Sequence, residues 1–397
     1  MSAPAGLSPR RALGGRDAYG FPRAVEVGES LYLGAQTAGG AGGDVRAQTA
    51  AAFQGMVEAL GAAGLGMGDL VNLRTYYLYG GARGREETLY WEDMTEVRLR
   101  YLTDPGPAAT AVRVAGVPGS GDLIGIDGIA SAAPARRKLL PADFWDWSMP
   151  VPFVQGWRLD DLLYLGGQIS ADAKGRAVFA GDGVAQTRKV LDFVHRVLLE
   201  GGLDWADLAT LRICYQHSGD GAAAKRGLDT ILAVLRETLP EPLPALTCFG
   251  VDLLYEGLVL EIDGFAPAGG REAVQPPGSE TWVGTEGFPV AYRSGERVFL
   301  GGLSAPGAAS LAAQSEATLD RLATSLRAAG SGVEALAKIT VFYVPDDPAG
   351  DGAAEVATVA KALADYLPAP GPAVTLLRVK GLPHEGQRLQ VDGIAHL

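Results

Sequence analysis

One seven-residue phrase recurs three times along this chain of 397 residues. It reads LYLGAQT at residues 31–37, LYLGGQI at 163–169 and VFLGGLS at 298–304. Spacings of 132 and 135 residues are too long for a solenoid repeat and match the length of a whole small domain. The repeat therefore predicts one domain written three times, and any function depends on how the three copies have diverged.

Each copy shows the same order of predicted elements: strand, strand, helix, strand, helix, strand, strand. Amphipathic helices are predicted at 45–65, 183–203 and 310–330 because apolar residues recur there at three- and four-residue spacing. A second helix is predicted around 92–102, 223–238 and 354–366, and each copy closes on a phrase resembling IDGIA, at 126–130, 262–266 and 391–395. This order is typical of an α+β domain with helices on one face of a mixed sheet.

The repeats predict three domains, at 1–135, 145–268 and 282–397. Pro-, Gly- and Ala-rich stretches at 131–150 and 267–286 are interpreted as linkers. Because a helix-backed sheet leaves its other face to be covered, we expect the three mixed sheets to pack as a pseudo-threefold barrel with the helices outside. A single chain would then form this pseudo-trimer alone, as a monomer of 41.2 kDa.

Composition favours a soluble, cytoplasmic protein. The net charge of −12 disfavours nucleic acid as a partner, and no apolar run is long enough to predict a membrane span. The N-terminus lacks the apolar core of a secretory signal, and the two cysteines, Cys214 and Cys248, fit a reducing compartment. Because zinc-ligand spacings, phosphate-binding loops and dinucleotide fingerprints are missing from the sequence, we expect no metal and no cofactor.

The glycine phrase and the closing phrase together resemble the RidA (YjgF) family. Members of that family carry SGQ after the second strand and end on a pattern of the type PAR…LP…EIEAIA. The resemblance covers 21–130, 153–266 and 288–395. It implies homotrimers of a chorismate-mutase-like fold, with a cleft at each subunit interface, that hydrolyse reactive enamines and imines.

Carrying the family's functional residues onto this chain shows where the copies have diverged. The arginine of PAR, which in the family grips a substrate carboxylate, is replaced in all three copies, by Ala109, Leu246 and Val374. The glutamate that positions or activates water is Gly125, Glu261 and Gln390, so only the second copy retains it. A substrate that is neutral, larger or differently charged is therefore expected in place of an ordinary 2-imino acid.

Glu261 is the candidate catalytic residue, because a carboxylate on a semi-buried strand can have a raised pKa that suits acid–base work. The alternative is a structural carboxylate. By the resemblance, Cys248 matches a cleft residue and Phe153 stands where the family has a tyrosine, as Phe21 and Phe288 do in the other copies. These two residues are candidates for shaping the cleft.

Three further strand residues are candidates for substrate binding. Arg74 and Arg212 occupy equivalent positions and would either replace the lost anion clamp or form ion pairs, including pairs across copies. Tyr215 is a candidate contact, although a strand tyrosine is more often packing. Asp127, Asp263 and Asp392 recur at one position in all copies, which favours a structural role.

The leading hypothesis is a RidA-like enzyme acting on a reactive imine, enamine or enol-type intermediate by deamination, hydrolysis, dehydration or cyclisation. A specialised biosynthetic pathway would suit three diverged copies, with an upstream enzyme of that pathway as a further partner. One alternative is a non-catalytic small-molecule binding or scaffold protein. Another is a chorismatase-like hydrolase or lyase, in which Arg74 or Arg212 would have to bind the dicarboxylate.

Overall fold

The computed structural model describes residues 8–81, 84–119, 121–282, 287–345, 350 and 352–397. Within them the chain is α+β, as the sequence predicts, with three mixed sheets and six α-helices. Each sheet has six strands, one more than the five predicted for each copy. The helices are α1 (Val45–Gly61), α2 (Arg85–Arg98), α3 (Gly183–Glu200), α4 (Gly221–Thr238), α5 (Leu311–Ala328) and α6 (Ala353–Tyr366). No helix in these ranges is long and apolar enough to cross a membrane.

Each copy contributes one sheet. The first contains β1 (Arg10–Arg16), β2 (Pro22–Val27), β3 (Ser30–Gln36), β4 (Leu70–Tyr77), β5 (Ala108–Arg113) and β6 (Ile124–Ser131), in the order β1-β2-β3-β6-β4-β5. The second contains β7 (Arg136–Leu139), β8 (Gly156–Leu159), β9 (Leu162–Ile169), β10 (Thr210–Gln216), β11 (Ala245–Val251) and β12 (Leu260–Pro267). The third contains β13 (Glu272–Val274), β14 (Ala291–Ser294), β15 (Arg297–Leu303), β16 (Leu336–Tyr343), β17 (Ala373–Arg378) and β18 (Leu389–His396). The spatial order of the elements is the same in all three sheets.

The linker interpretation of the Pro- and Gly-rich stretches is wrong in part. Strand β7 lies inside 131–150 and β13 inside 267–286, and each pairs antiparallel with the next strand of the following copy. Turn residues outnumber strand formers in these segments, which conceals a short edge strand from pattern reasoning. In addition, α2 begins at Arg85 rather than near residue 92, because Glu86 and Glu87 favour the positive end of a helix.

One side chain starts the first helix of every copy. Asp44, Asp182 and Ser310 each accept a hydrogen bond from the backbone N–H three residues later, at 2.9, 3.0 and 3.2 Å. A glutamine one turn further joins each helix to the loop before the last strand; these are Gln48, Gln186 and Gln314, which donate to Gly121, Gly257 and Gly386. The AQ dipeptide inside each predicted helix is the sequence signal for this hydrogen bond between helix and loop.

The glycine phrase forms a β-bulge inside a strand rather than a turn after it. The pairing register shifts within the phrase in all three sheets. A Cβ on Gly34 would lie 2.7 Å from the carbonyl oxygen of Val374, so glycine allows a strand of another copy to approach. Gly166 and Gly301 face Ala109 and Leu246 in the same way.

The three sheets pack against one another in cyclic order. Strand β5 contacts β9 (the first interface), β11 contacts β15 (the second interface) and β17 contacts β3 (the third interface). Each sheet carries its own pair of helices, while the opposite faces share a central apolar core with residues such as Tyr32, Phe265 and Phe299. Within the described ranges, backbone pairing between strands of different copies is limited to isolated bridges, such as Arg113 with Asp252, so no closed hydrogen-bonded barrel forms there. The pseudo-barrel predicted from the sequence is therefore not confirmed.

Candidate functional site

The three interfaces are built alike but carry different residues at the two positions that the family uses. At the first interface, Ala109 of the first copy lies near the glycine phrase of the second copy. The second copy also contributes Glu261 to this interface. At the second interface Leu246 and Gln390 line one small cavity. At the third interface Val374 lies against Gly34, and the carboxylate position is Gly125. A carboxylate at this position therefore occurs at the first interface alone.

Glu261 lies in the strand β12, and its side chain is 4% exposed. Burial, and then the neighbouring charge of Asp263, raise the pKa of Glu261 well above its ordinary value of 4.5, against a hydrogen bond from the backbone N–H of Ala111. That N–H belongs to the first copy, so the carboxyl group bridges two copies. A carboxylic acid that holds its proton near neutral pH can donate that proton to a bound molecule.

Gly167 makes the space for this carboxyl group. A Cβ added to Gly167 would collide with Oε1 of Glu261, and a Cβ on Gly302 would lie 2.5 Å from the amide carbon of Gln390. In the first copy the corresponding residues are Ala35 and Gly125, so the small and the large side chain are exchanged along the sequence. A glycine phrase that contains GG therefore occurs with a long polar side chain at the family's glutamate position, and the phrase that contains GA occurs with glycine at that position.

Aromatic side chains of the second copy cover the first interface. Trp147 stacks on Trp91 of the first copy with ring centroids 5.1 Å apart, and Trp145 and Phe153 pack edge and face onto Trp147. The indole N–H of Trp145 donates to Gln168 at 3.1 Å. Sequence reasoning missed both tryptophans because they stand in the segment interpreted as a linker.

Two polar atoms at this interface are buried without a hydrogen-bond partner in the described ranges: Oη of Tyr77 and Nε1 of Trp147. Burial is the main cause that raises the pKa of Tyr77, the charge of Glu87 is the next, and the charge of Glu261 adds to the shift. Unsatisfied buried donors are uncommon in folded proteins and are available to a polar ligand. Neighbouring Cys214 is also buried; burial and then Glu261 raise the pKa of its thiol, so it is a poor nucleophile.

The structure places Cys248 and Tyr215 away from Glu261. Cys248 points to the helix side of β11 and lines the cavity of the second interface with Gln390, Phe288 and His384. Tyr215 belongs to the same apolar core, and burial raises its pKa strongly, with Cys248 adding to the shift. Of the candidate site residues, only Phe153 joins Glu261 at the first interface.

Arg74 and Arg212 lie at the centre of the molecule rather than in an interface cleft. Arg74 pairs with Asp263 at 2.7 Å, and Arg212 pairs with Asp392 at 2.8 Å. Lys338, missed by the sequence reasoning, completes the cycle by pairing with Asp127 at 3.0 Å. We call these six residues the axial ring. Each pair joins two copies. The repeated aspartates thus have a structural role, and both arginines form ion pairs across copies instead of replacing the lost anion clamp.

A metal site does not emerge from the described residues. They contain no group of three or more His, Cys, Asp and Glu side chains that could hold an ion. The expectations of no metal and no cofactor stay predictions.

Comparison with known proteins confirms the resemblance carried by the repeats. Residues 148–268 match the family model described as Endoribonuclease L-PSP. The 3-aminoacrylate deaminase RutC of Acinetobacter baylyi is 29% identical over 111 residues, which are 28% of this chain and 82% of that protein. The family-model match falls on the copy that retains the family glutamate, and both matches support an enzyme-like or binding role towards a small molecule.

Two solved structures are similar to this chain, one over most of its length and one over about a third of it. A chorismatase superposes with a TM-score of 0.56 at 16% identity and covers 82% of this chain and 93% of its own. A member of the YjgF/YER057c/UK114 family from Mycobacterium tuberculosis covers 31% of this chain and 100% of its own, at 25% identity and a TM-score of 0.27. The chorismatase likeness shows that most of the chain shares the fold of that protein.

Proposed function

We propose that the chain is an enzyme whose first interface binds a reactive imine, enamine or enol-type intermediate, with Glu261 as the proton-transferring residue. The observation that carries this proposal is the position of one buried carboxyl group, with a raised pKa, between two copies. At the corresponding positions of the other two interfaces stand an amide, Gln390, and no side chain at all, Gly125.

The proposed reaction is a hydrolytic deamination. The protonated carboxyl of Glu261 donates its proton to the enamine carbon, which forms an iminium ion. Water adds to the C=N carbon, returning a proton to the carboxylate, and the tetrahedral adduct expels ammonia to leave a carbonyl product. Trp147 and Phe153 limit access of bulk water, which keeps the proton on Glu261 until a substrate is bound. Dehydration or cyclisation of an enol-type substrate would use the same proton transfer.

The chorismatase-like alternative is less well supported by the geometry. It requires Arg74 or Arg212 to bind a dicarboxylate, and both guanidinium groups already pair with aspartates of the axial ring. A location in the cytoplasm, a role in a specialised biosynthetic pathway and association with an upstream enzyme remain proposals that follow from the enzyme hypothesis.

The experiment is to supply imines and enamines, generated in situ from amino acids by an oxidase or a lyase, and to measure release of ammonia. We expect Glu261→Gln to lose roughly 10²- to 10⁴-fold in rate, the usual contribution of a general acid. Gln390→Ala, at the same position of the second interface, is the matched control and should retain the rate. Equal rates for wild type and Glu261→Gln would contradict the proposal, and binding without turnover by wild type would favour the non-catalytic alternative.

A further inference from the structure

We infer that Arg98 binds a carboxylate in a cavity of the first copy, beside the interface that holds Glu261. Arg98 is the last residue of α2, and its side chain is 5% exposed. Its Nε and Nη2 atoms have no hydrogen-bond partner anywhere in the described ranges of the chain. A buried cation without a counter-charge is costly, and an anionic ligand would offset that cost.

The other two copies show what this position carries when it is structural. Arg98, Leu235 and Leu363 each stand seven residues before an equivalent proline, Pro105, Pro242 and Pro370. Leu235 is 0% exposed and Leu363 is 2% exposed, so both are ordinary core residues between helix and sheet. Leucine is therefore the residue that suits this buried helix position, and the first copy has a charged side chain in its place.

Other residues that line the cavity beside Arg98 are also smaller or more polar than their equivalents in the other two copies. The cavity beside Arg98 is lined by Thr75 and Ala111, among others. At the equivalents of Thr75 the other copies carry Ile213 and Val341, and at the equivalents of Ala111 they carry Cys248 and Leu376. A hydroxyl and an alanine in place of branched or longer side chains make the pocket both more polar and less filled.

Two residues connect this cavity to the proposed catalytic group. The backbone N–H of Ala111 hydrogen-bonds the Glu261 carboxyl, and Ala111 also lines the cavity. Trp91 lines the cavity too and stacks on Trp147, which covers the interface. The cavity has a volume of about 10 Å³, room for about one water molecule, so a carboxylate at Arg98 would have to displace the flexible side chain of Met94 at the cavity wall. It would then lie beside the backbone that holds the Glu261 carboxyl.

The charge on Arg98 persists at neutral pH. Burial lowers its pKa to about 10, which still leaves the guanidinium protonated at pH 7. The inference deepens the proposed function by assigning the substrate class: a carboxylate, held by α2 instead of by the arginine that the family has in PAR. It rests on the proposed function for the identity of the ligand, but anion binding itself does not depend on Glu261.

The test is a titration of the full chain with sodium acetate and propionate at constant ionic strength, followed by the unfolding midpoint and by tryptophan fluorescence. Chloride and acetamide serve as the ionic and neutral controls. We expect wild type and Glu261→Gln to be stabilised by the carboxylates and not by the controls. Arg98→Leu should bind roughly 10- to 100-fold more weakly, the size of one charge-assisted hydrogen bond.

Arg100→Leu, which removes an exposed arginine two residues away, should respond like wild type. Because leucine is the native residue at Leu235 and Leu363, Arg98→Leu is expected to fold, and Arg98→Met provides a second variant. An equal carboxylate response in Arg98→Leu and wild type, or a wild-type response no larger than that to chloride, would overturn the inference. Either result would leave the Glu261 rate experiment unaffected, so the two proposals fail separately.

Discussion

Asp263 of the second copy accepts two hydrogen bonds from the guanidinium group of Arg74 in the first copy, at 2.7 and 3.1 Å. Thr110 of the first copy donates a third to the same carboxylate, at 3.0 Å. These contacts fix β4 and β5 of the first copy against β12, just two residues from Glu261. The axial ring thus holds the interfaces in register, and the candidate catalytic carboxyl depends on it for position.

Replacing Asp263 with Asn should strongly destabilise the protein. It would leave the Arg74 guanidinium buried without its counter-charge, a change that typically costs about 3–5 kcal/mol. Urea unfolding of the variant measures this. The control is Asp365→Asn, which removes an exposed pair with Lys361 and should cost less than about 0.5 kcal/mol. A cost for Asp263→Asn as small as the control would show that the axial ring does not hold the copies together.

The same carboxylate should make the protein sensitive to acid. Burial alone would raise the pKa of Asp263, but Arg74 and Arg212 outweigh it and hold that pKa below its ordinary value of 3.8. Stability from this group is therefore complete above the unfolded-state pKa and is lost as the pH falls through the lower folded-state pKa. The difference in unfolding free energy between wild type and Asp263→Asn should be constant from pH 5 to 7 and shrink at lower pH. A difference that persists unchanged at pH 2 would contradict this.

Glu261→Gln should stabilise the fold while it removes activity. Because the folded-state pKa of Glu261 is raised, its ionisation opposes folding once the pH exceeds the ordinary value of 4.5. A neutral amide avoids this cost, and Gln390 shows that the same strand position accommodates one. We expect a gain of about 1 kcal/mol at pH 7, the usual size of a stabilising substitution, and little gain at pH 4. The converse change, Gln390→Glu, should lower the unfolding midpoint at pH 7.

Gly167→Ala should displace the Glu261 side chain without straining the backbone. The added Cβ would meet the carboxylate oxygen, so the side chain must turn away from Ala111. We expect a large loss of turnover in the ammonia-release assay. Gly302→Ala displaces Gln390 in the same way at the second interface and should leave turnover intact. Equal losses in the two variants would mean that the first interface is not the active one.

One chain should form the complete three-copy assembly. The cyclic contacts among β5, β9, β11, β15, β17 and β3 are all made within a single chain. Light scattering is therefore expected to give a mass near 41.2 kDa. A mass of three chains would contradict an intrachain pseudo-trimer.

Sequence reasoning predicted the fold because the repeat shows each element three times. It could not locate β1, β7, β13 or the tryptophans Trp145 and Trp147, since short edge strands and covering loops have no periodic pattern. It also joined Cys248 to Glu261, although β10 lies between their two strands and the side chains point to opposite faces of the sheet. Arg98 was missed for another reason: its burial and its unpaired Nε and Nη2 atoms appear only in the structure.

The most direct test of the account is the protonation state of Glu261, measured by infrared difference spectroscopy between wild type and Glu261→Gln across a pH titration. We expect a protonated carboxyl band that is present in wild type, absent from the variant, and lost only at a pH well above 4.5. A band that disappears at or below pH 4.5 would show that Glu261 is an ordinary ionised carboxylate and would contradict its role as the proton donor.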